Sequence, residues 1–337
     1  MPAQKLLWLA PLLLPLAWLY GSVLWIRRRL YQWGWLRSFR LPGRVISIGN
    51  LEVGGTGKSP IVMAVAEKLL QQGERPAILS RGYRSGLKAH ESACLLASTL
   101  ILEPQESSQF HADEARMQSA KLPKVPVIIG AKRWEAAQRY LAKHPTPTVW
   151  ILDDGFQHLR IKRDDDWLLL DESTPHSAYH VLPLGRLREF QQTMSKAQLF
   201  IFTRAELSSE PTQLQKTLEA AGKTCSRAAF SLGRAYAAES HAPALIPKNK
   251  TCGLATGIAK PEILRFDLKK QGWNIEKSLI KADHEPFTDT ELKELADHCE
   301  VILTTEKDYY RDKEIFTKIS KKVFILPLLV HFDRNIF

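Results

Sequence analysis

The residues best suited to chemistry are a lysine and a serine, Lys58 and Ser59, at the end of a glycine-rich loop. Such a loop lets backbone N–H groups approach the oxygens of a polyphosphate, and a helix that starts there adds a favourable dipole. The lysine would reach the β- and γ-phosphates, and the serine hydroxyl would lie on Mg²⁺. The strict pattern has glycine five places before Gly57, whereas this chain has Glu52. The predicted phosphate ligands are Gly54, Gly55, Thr56, Gly57, Lys58 and Ser59.

A second group of candidates is a pair of carboxylates, Asp153 and Asp154, directly after the apolar segment 148–152. An acid at the end of a buried strand holds Mg²⁺ in enzymes with a phosphate-binding loop. A strand that ends in two aspartates is also common in ordinary turns. The phosphate-binding loop earlier in the chain favours the metal site.

Five further residues have two interpretations each. Asp113 lies near a predicted helix start, where it would act as a cap or as a base. His284 is a solvated loop residue, or it tunes such a base from across a cleft. Arg133, Arg186 and Arg188 are surface arginines or bidentate ligands of phosphate.

The elements that must position these residues alternate along the chain. Apolar segments are predicted as strands at residues 45–48, 76–79, 125–129, 148–152, 167–170 and 199–203. Helical segments separate them, so we expect a mainly parallel sheet that is covered on both faces. Ligands bind at the carboxyl ends of such strands, where the loop and Asp153 both fall. The pattern breaks between residues 224 and 250 and then restarts, which indicates a smaller α/β domain.

The composition is that of a folded protein with a reduced interior. The chain has 337 residues, of which 45% are hydrophobic and 25% charged. Its four cysteines form no CxxC or Cys/His ligand spacing, which argues against disulfides and structural zinc. The net charge of +11 indicates an acidic partner without choosing among nucleic acid, anionic lipid and a phosphorylated substrate.

The N-terminal segment predicts a membrane anchor. Residues 6–26 are apolar and contain no charged side chain, and residues 27–44 carry six arginines and no acid. The apolar run is long enough for a transmembrane helix, and the arginines place the body of the protein in the cytoplasm. A cleaved signal peptide is the alternative, but no convincing cleavage site follows the run. Pro11 and Pro15 leave open whether the segment spans fully or lies in one leaflet.

Taken together, these segments resemble the tetraacyldisaccharide 4′-kinases, membrane-bound enzymes that phosphorylate a lipid A precursor in Gram-negative bacteria. The matching stretches follow the family's order along the chain. They are IGNLEVGGTGKSP (48–60), LSRGY (79–83), DE (113–114), DDGFQH (153–158), LPLGRLRE (182–189), GIAKP (257–261), DH (283–284) and TTEKD (304–308).

The resemblance implies a fold of the P-loop NTPase type, with an α/β/α core and a mainly parallel sheet. Residues 1–40 would form the transmembrane anchor with its basic and aromatic collar, residues 41–235 the kinase core, and residues 236–337 a smaller α/β domain that closes over the nucleotide. The enzyme would use ATP and Mg²⁺ to phosphorylate the 4′-hydroxyl of tetraacyldisaccharide 1-phosphate. It would act at the cytoplasmic face of the bacterial inner membrane, without nucleic acid or an obligate protein partner.

The resemblance also implies residue roles. Catalytic roles fall on Asp113, His284, Lys58, Arg133, Arg186 and Arg188, and the metal ligands are Ser59, Asp153 and Asp154. Asp113 matches the proposed base and His284 its partner. The family usually has glycine before the Asp-Glu pair and proline after it, where this chain has Ala112 and Ala115. The chain also has Arg186 where proline is frequent, so the resemblance does not choose between Arg186 and Arg188.

Two other functions share some of these features. A membrane-tethered ATPase or GTPase that acts on a protein partner would also need the phosphate-binding loop and Asp153, but neither Asp113 nor His284. A basic nucleic-acid-binding protein would place its arginines along a groove-binding helix or an aromatic sheet face. Here they cluster beside the predicted anchor, which counts against that function.

Overall fold

The computed structural model describes residues 10–82, 85–104, 112–174, 179–208, 210–240, 250–258, 260–282 and 285–336. The chain divides into two compact units. The larger unit comprises Met1–His111, Gln118–Phe230 and Val330–Phe337, and the smaller unit comprises Ala112–Met117 and Ser231–Leu329. Each unit has a sheet of its own.

The first described element is helix α1 (Ala10–Gln32), which belongs to the larger unit. Ala17 is buried, and a Cβ at Gly21 would lie 2.4 Å from the ring of Phe190. The helix also exposes apolar side chains. These are Leu14, Leu16, Trp18, Leu19, Tyr20, Val23, Trp25 and Ile26.

The predicted transmembrane helix over residues 6–26 is not confirmed by the described residues. Residues 6–9 lie outside the described residues, and the described helix continues beyond residue 26 through the charged side chains of residues 27–29. Over the described ranges, no helix has both the length and the apolar character that crossing a membrane requires.

The larger unit contains a sheet of ten strands within the described residues. In chain order they are β1 (Arg44–Asn50), β2 (Pro76–Ser80), β3 (Ser92–Leu96), β4 (Thr99–Leu102), β5 (Val127–Gly130), β6 (Val149–Asp153), β7 (Asp165–Asp171), β8 (Leu199–Thr203), β9 (Thr224–Leu232) and, from the end of the chain, β15 (Leu328–Phe332). Their order across the sheet is β15-β9-β8-β7-β1-β6-β2-β5-β3-β4. Strand β1 is central and runs parallel to β6 and to β7. The carboxyl ends of β1 and β6 therefore lie side by side.

Besides α1, the helices that lie wholly in this unit are α2 (Lys58–Gln71), α4 (Arg133–Leu141) and α5 (Gln213–Ala220). Helix α3 (Asp113–Lys121) is divided between the two units. Helix α2 buries Ile61, Val65 and Leu69 on one face and contacts β1, β2 and β6. This packing fixes the start of α2 near the carboxyl ends of β1 and β6.

The smaller unit contains a five-stranded sheet in its described residues. Its elements are β10 (Tyr236–Ala237), β11 (Cys252–Thr256), α6 (Pro261–Lys270), β12 (Ile275–Ile280), α7 (Asp289–His298), β13 (Val301–Thr305), α8 (Glu306–Arg311), α9 (Lys313–Lys318) and β14 (Val323–Leu326). The strand order is β10-β14-β13-β11-β12; β10 pairs antiparallel with β14, and the other described pairs are parallel. A capping box of Thr288 and Glu291 starts α7.

The predicted α/β fold with a large, mainly parallel sheet is confirmed. The sequence patterns missed β3 and β4, which form an antiparallel pair at one edge. They also missed β12, whose residues are mostly half-exposed and mix charged with apolar side chains. Strand β9 begins at Thr224, inside the segment that the composition marks as a break.

Candidate active site

The phosphate-binding loop joins β1 to α2, and two of its glycines have positive φ. Gly54 has a φ of 123° and Gly57 a φ of 77°, which are conformations that residues with a Cβ avoid. A Cβ at Gly57 would also lie 2.5 Å from the ring of Phe230. Gly55 and the buried Thr56 complete the turn. Among the described residues, no side chain caps the start of α2, so its backbone N–H groups suit an anion.

Lys58 is the first residue of α2, and its ammonium group faces polar oxygens of the larger unit. Its Nζ atom lies 3.0 Å from Oδ1 of Asn50 and 3.6 Å from Oδ1 of Asp154. Ser59 follows in the first turn of the same helix. The structure thus brings the end of the phosphate-binding loop and the acidic pair together.

The two carboxylates among the predicted metal ligands have different surroundings. Asp153 ends β6, is buried, and accepts a hydrogen bond of 3.0 Å from Nε2 of Gln118. Asp154 has a φ of 53° and ion pairs with Arg188 at 3.0 Å. Burial raises the pKa of Asp154, but Lys58, Arg188 and Arg133 outweigh it and hold that pKa below its usual range. Asp154 is therefore a carboxylate at neutral pH.

Arg133 lies at the start of α4 and is almost completely buried. Its Nη1 atom donates a hydrogen bond of 3.1 Å to the backbone oxygen of Asp154. Burial lowers the pKa of Arg133 to about 10, although the nearby Asp154 and Asp153 raise it. The guanidinium thus keeps its charge at neutral pH. Among the described residues, its buried Nε atom has no hydrogen-bond partner.

Arg186 and Arg188 lie on one short segment that pairs with the phosphate-binding loop. The backbone N–H of Val53 donates to the carbonyl of Arg186, and the N–H of Arg188 donates to the carbonyl of Leu51. Their side chains go to different places. Nη2 of Arg186 donates to the backbone oxygen of Val53 at 2.9 Å, whereas Nη1 of Arg188 lies 3.0 and 3.2 Å from the carboxylate oxygens of Asp154. Arg188 is therefore the arginine of this segment that joins the acidic pair.

The predicted base is the first residue of α3. Asp113 falls within Ala112–Met117, which belongs to the smaller unit. Gln118, later in the same helix, belongs to the larger unit and contacts Asp153. His284, the predicted partner of Asp113, lies outside the described residues.

A family model for the tetraacyldisaccharide-1-phosphate 4′-kinases, LpxK, matches residues 9–337. The chain belongs to this kinase family. The predicted family is thereby confirmed, and so is the prediction of an ATP-dependent kinase. The match spans the phosphate-binding loop, the acidic pair and the segment of Arg188.

Individual relatives agree with this family. The chain is 33% identical over 328 residues to a tetraacyldisaccharide 4′-kinase of Pelobacter propionicus, a match that covers 95% of this chain and 88% of the relative. It is 32% identical over 307 residues to the kinase of Chlorobaculum parvum, with 89% and 83% covered. The crystal structure of "apo" form LpxK from Aquifex aeolicus in complex with ATP is 29% identical, with a TM-score of 0.77. That match covers 99% of this chain and 96% of the Aquifex chain.

The donor atoms at the acidic pair fit Mg²⁺, the cofactor predicted for a kinase of this family. Asp153 and Asp154 would supply carboxylate oxygens to the ion, and Ser59 would supply a hydroxyl. The described part of the chain holds no group of three or more His, Cys, Asp or Glu side chains suited to a metal ion. Mg²⁺ needs only one or two carboxylates when phosphate oxygens and water complete its shell. The set is therefore compatible with Mg²⁺ bound together with phosphate oxygens and is too small for a metal site made by protein alone.

Sequence reasoning missed polar residues that support this family's site. The side-chain oxygen of Asn50 accepts a hydrogen bond from Nζ of Lys58, and its backbone oxygen accepts one of 3.0 Å from Nε2 of Gln157. Glu52, which stands where the strict loop pattern has glycine, is buried and accepts 2.6 Å from the hydroxyl of Thr174. Burial raises the pKa of Glu52, although that hydrogen bond lowers it. The departure at Glu52 was visible in the sequence, whereas its contact with Thr174 needed the fold.

Proposed function

We propose that this protein transfers the γ-phosphate of ATP to the 4′-hydroxyl of tetraacyldisaccharide 1-phosphate, a lipid A precursor. One observation carries the proposal. In the larger unit, Lys58, Arg133 and Arg188 converge on Asp154 beside a glycine-rich loop and a helix start. This set of charges suits a polyphosphate, and the names of the relatives supply the acceptor.

Phosphoryl transfer needs positioning and charge neutralisation more than covalent chemistry. In the proposed reaction, the backbone N–H groups of the loop and Lys58 bind the phosphates. Arg133 and Arg188 balance the negative charge that spreads over the transferred group. Ser59, Asp153 and Asp154 would hold Mg²⁺, which would neutralise and orient phosphate oxygens.

We assign the removal of the acceptor proton to Asp113, with His284 as its partner. This assignment is supported by the family resemblance and by the position of Asp113 in the first turn of α3. A carboxylate there would accept the 4′-hydroxyl proton as the oxygen attacks phosphorus. The smaller domain, residues 236–337, would then exclude water from ATP by closing, a proposal that rests on the resemblance.

For the membrane, we propose that α1 lies in the interface on the cytoplasmic side of the inner membrane. Its exposed apolar side chains would enter the acyl region, and the exposed arginines of residues 37–44 would meet anionic headgroups. The acyl chains of the substrate could then stay in the bilayer while its sugar reaches the site. No obligate protein partner is needed for this reaction.

The proposed function is tested with purified protein in detergent, Mg²⁺, γ-labelled ATP and a tetraacylated disaccharide 1-phosphate. We expect label on the lipid with the wild type. Lys58→Ala should lower kcat by about 100-fold or more because a phosphate ligand is lost. Asp113→Ala should lower it by about 100-fold because the base is lost. Lys68→Ala removes an exposed lysine from the same helix as Lys58 and should keep wild-type activity.

The rival function predicts a different result in the same assay. A membrane-tethered NTPase that serves a protein partner would hydrolyse ATP and leave the lipid unlabelled. That outcome would overturn the lipid kinase. If ATP is hydrolysed without lipid as fast as the lipid is phosphorylated, the proposed closure of the smaller domain is contradicted. The proposed lipid kinase activity is not affected by that outcome.

A further inference from the structure

A buried ion pair connects helix α1 to the segment that carries Arg188. Nε and Nη2 of Arg28 both lie 2.9 Å from Oε2 of Glu189. The two side chains are only 8% and 4% exposed. A charged pair at this depth is costly to form and still costlier to break, because the remaining partner would be left buried and unpaired. Contact with a membrane requires exposed groups, so it does not explain this buried pair.

Arg28 also holds a second segment of the site. Its Nη2 atom donates to the backbone oxygen of Phe156 at 3.2 Å, and its guanidinium lies over the Phe156 ring, 5.0 Å from the centroid. Phe156 lies two residues after Asp154, and Glu189 directly follows Arg188. One guanidinium thus binds close to both partners of the Arg188–Asp154 ion pair.

The packing of α1 against Phe190 keeps Arg28 in this place. The ring of Trp18 packs on Phe190 with centroids 5.5 Å apart, and Gly21 lies so close to Phe190 that a Cβ would clash. Phe190 is the residue after Glu189. Helix α1 therefore contacts two successive residues of the Arg188 segment, Glu189 through an ion pair and Phe190 through packing.

We propose that Arg28 is a positioning residue of the kinase, which acts from helix α1 by holding Glu189 and the Phe156 carbonyl so that Arg188 stays on Asp154. Helix α1 then belongs to the catalytic unit as well as to the membrane surface. The proposal rests on the proposed function, since phosphoryl transfer is its readout. It predicts that kcat falls when Arg28 is replaced, even where membrane binding plays no part.

The test compares two arginines of the same helix in detergent micelles with saturating lipid. Arg28→Gln removes the buried charge, whereas Arg29→Gln removes an exposed one that lies over Trp25. We expect Arg28→Gln to lower kcat about tenfold or more, with KM for the lipid changed less than about twofold, because misplacement of a catalytic group reduces turnover. Arg29→Gln should keep kcat within about twofold. Equal kcat values for the two variants would overturn the proposal.

A double-mutant cycle of Arg28→Gln and Arg188→Gln distinguishes a positioning role from a general loss of structure. If Arg28 acts through Arg188, Arg28→Gln should add less than about twofold to the loss caused by Arg188→Gln, since effects of residues that act as a unit are not additive. Losses that multiply fully would contradict the proposal. Glu189→Gln, which keeps the side-chain shape, should reproduce the effect of Arg28→Gln and serves if that variant does not fold. A wild type without lipid phosphorylation would instead overturn the proposed function itself.

Discussion

At the scale of single residues, His158 is placed where a positive charge is strongly disfavoured. It belongs to the DDGFQH stretch and is mostly buried. Burial first, and then the charges of four nearby arginines, lower the pKa of His158 to about 3. Its Nε2 atom has no hydrogen-bond partner among the described residues. The folded protein therefore keeps this imidazole neutral throughout the physiological pH range.

This neutral histidine predicts how stability depends on pH. An unfolded chain protonates histidine below about pH 6.5, while the folded chain does not. The unfolded state then binds more protons, so the free energy of unfolding falls as pH drops from about 6.5 towards the folded pKa. When the pH falls from 7.5 to 5.5, the free energy of unfolding of the wild type should decrease by about 1 kcal/mol more than that of His158→Gln. Urea unfolding at both pH values measures the difference.

The matched control is His90→Gln, which replaces an exposed histidine. It should lose as much stability between the two pH values as the wild type does. The same pH dependence in His158→Gln and the wild type would show that His158 is not held neutral.

At the scale of elements, the phosphate-binding loop depends on a backbone shape as much as on its lysine. Gly57 combines a φ of 77° with close contact to Phe230, while Gly73, past the end of α2, has a φ of 83° and open space around it. Alanine at either position should cost about 1 kcal/mol for the left-handed backbone. Only Gly57→Ala should also weaken ATP binding, by about tenfold or more, because the loop must move off Phe230. Calorimetric titration with ATP and thermal unfolding measure the two effects.

Gly73→Ala is the control for backbone strain alone, and it should bind ATP like the wild type. If Gly57→Ala also binds ATP normally, the loop shape at Gly57 does not control nucleotide binding.

The strand and helix around this loop could be predicted because their apolar residues follow simple periods. The same patterns located Asp153, since it ends a fully apolar strand. They could not choose between Arg186 and Arg188, because that choice depends on how residues 186–188 pair with residues 51–53. Gln118 was missed for a similar reason: a glutamine within a helix carries no signal until the fold brings it to Asp153.

At the scale of the whole molecule, the exposed apolar face of α1 is the surface that we propose to lie in the membrane. Leu19 and Val23, one turn apart, are 64% and 57% exposed. The double change Leu19→Glu with Val23→Glu should weaken binding to anionic vesicles by about tenfold or more, because two apolar side chains that would enter the acyl region are replaced by charged ones. Co-sedimentation with vesicles measures the binding.

Leu207→Glu changes an apolar residue that is 50% exposed elsewhere on the larger unit, and it should leave vesicle binding unchanged. If the double variant binds vesicles as well as Leu207→Glu does, this face of α1 is not the membrane surface.

The division of the chain into units has a consequence for its synthesis. The polypeptide leaves the larger unit after Phe230 and returns at Val330, so that β15 pairs beside β9. Asp333 fixes this return, since its carboxylate accepts from the hydroxyl of Ser226 and the N–H of Arg227. During translation, one edge of β9 therefore stays unpaired until residues 328–333 have left the ribosome. A nascent chain that stalls before that point would present an unpaired strand to its neighbours, a recognised route to aggregation.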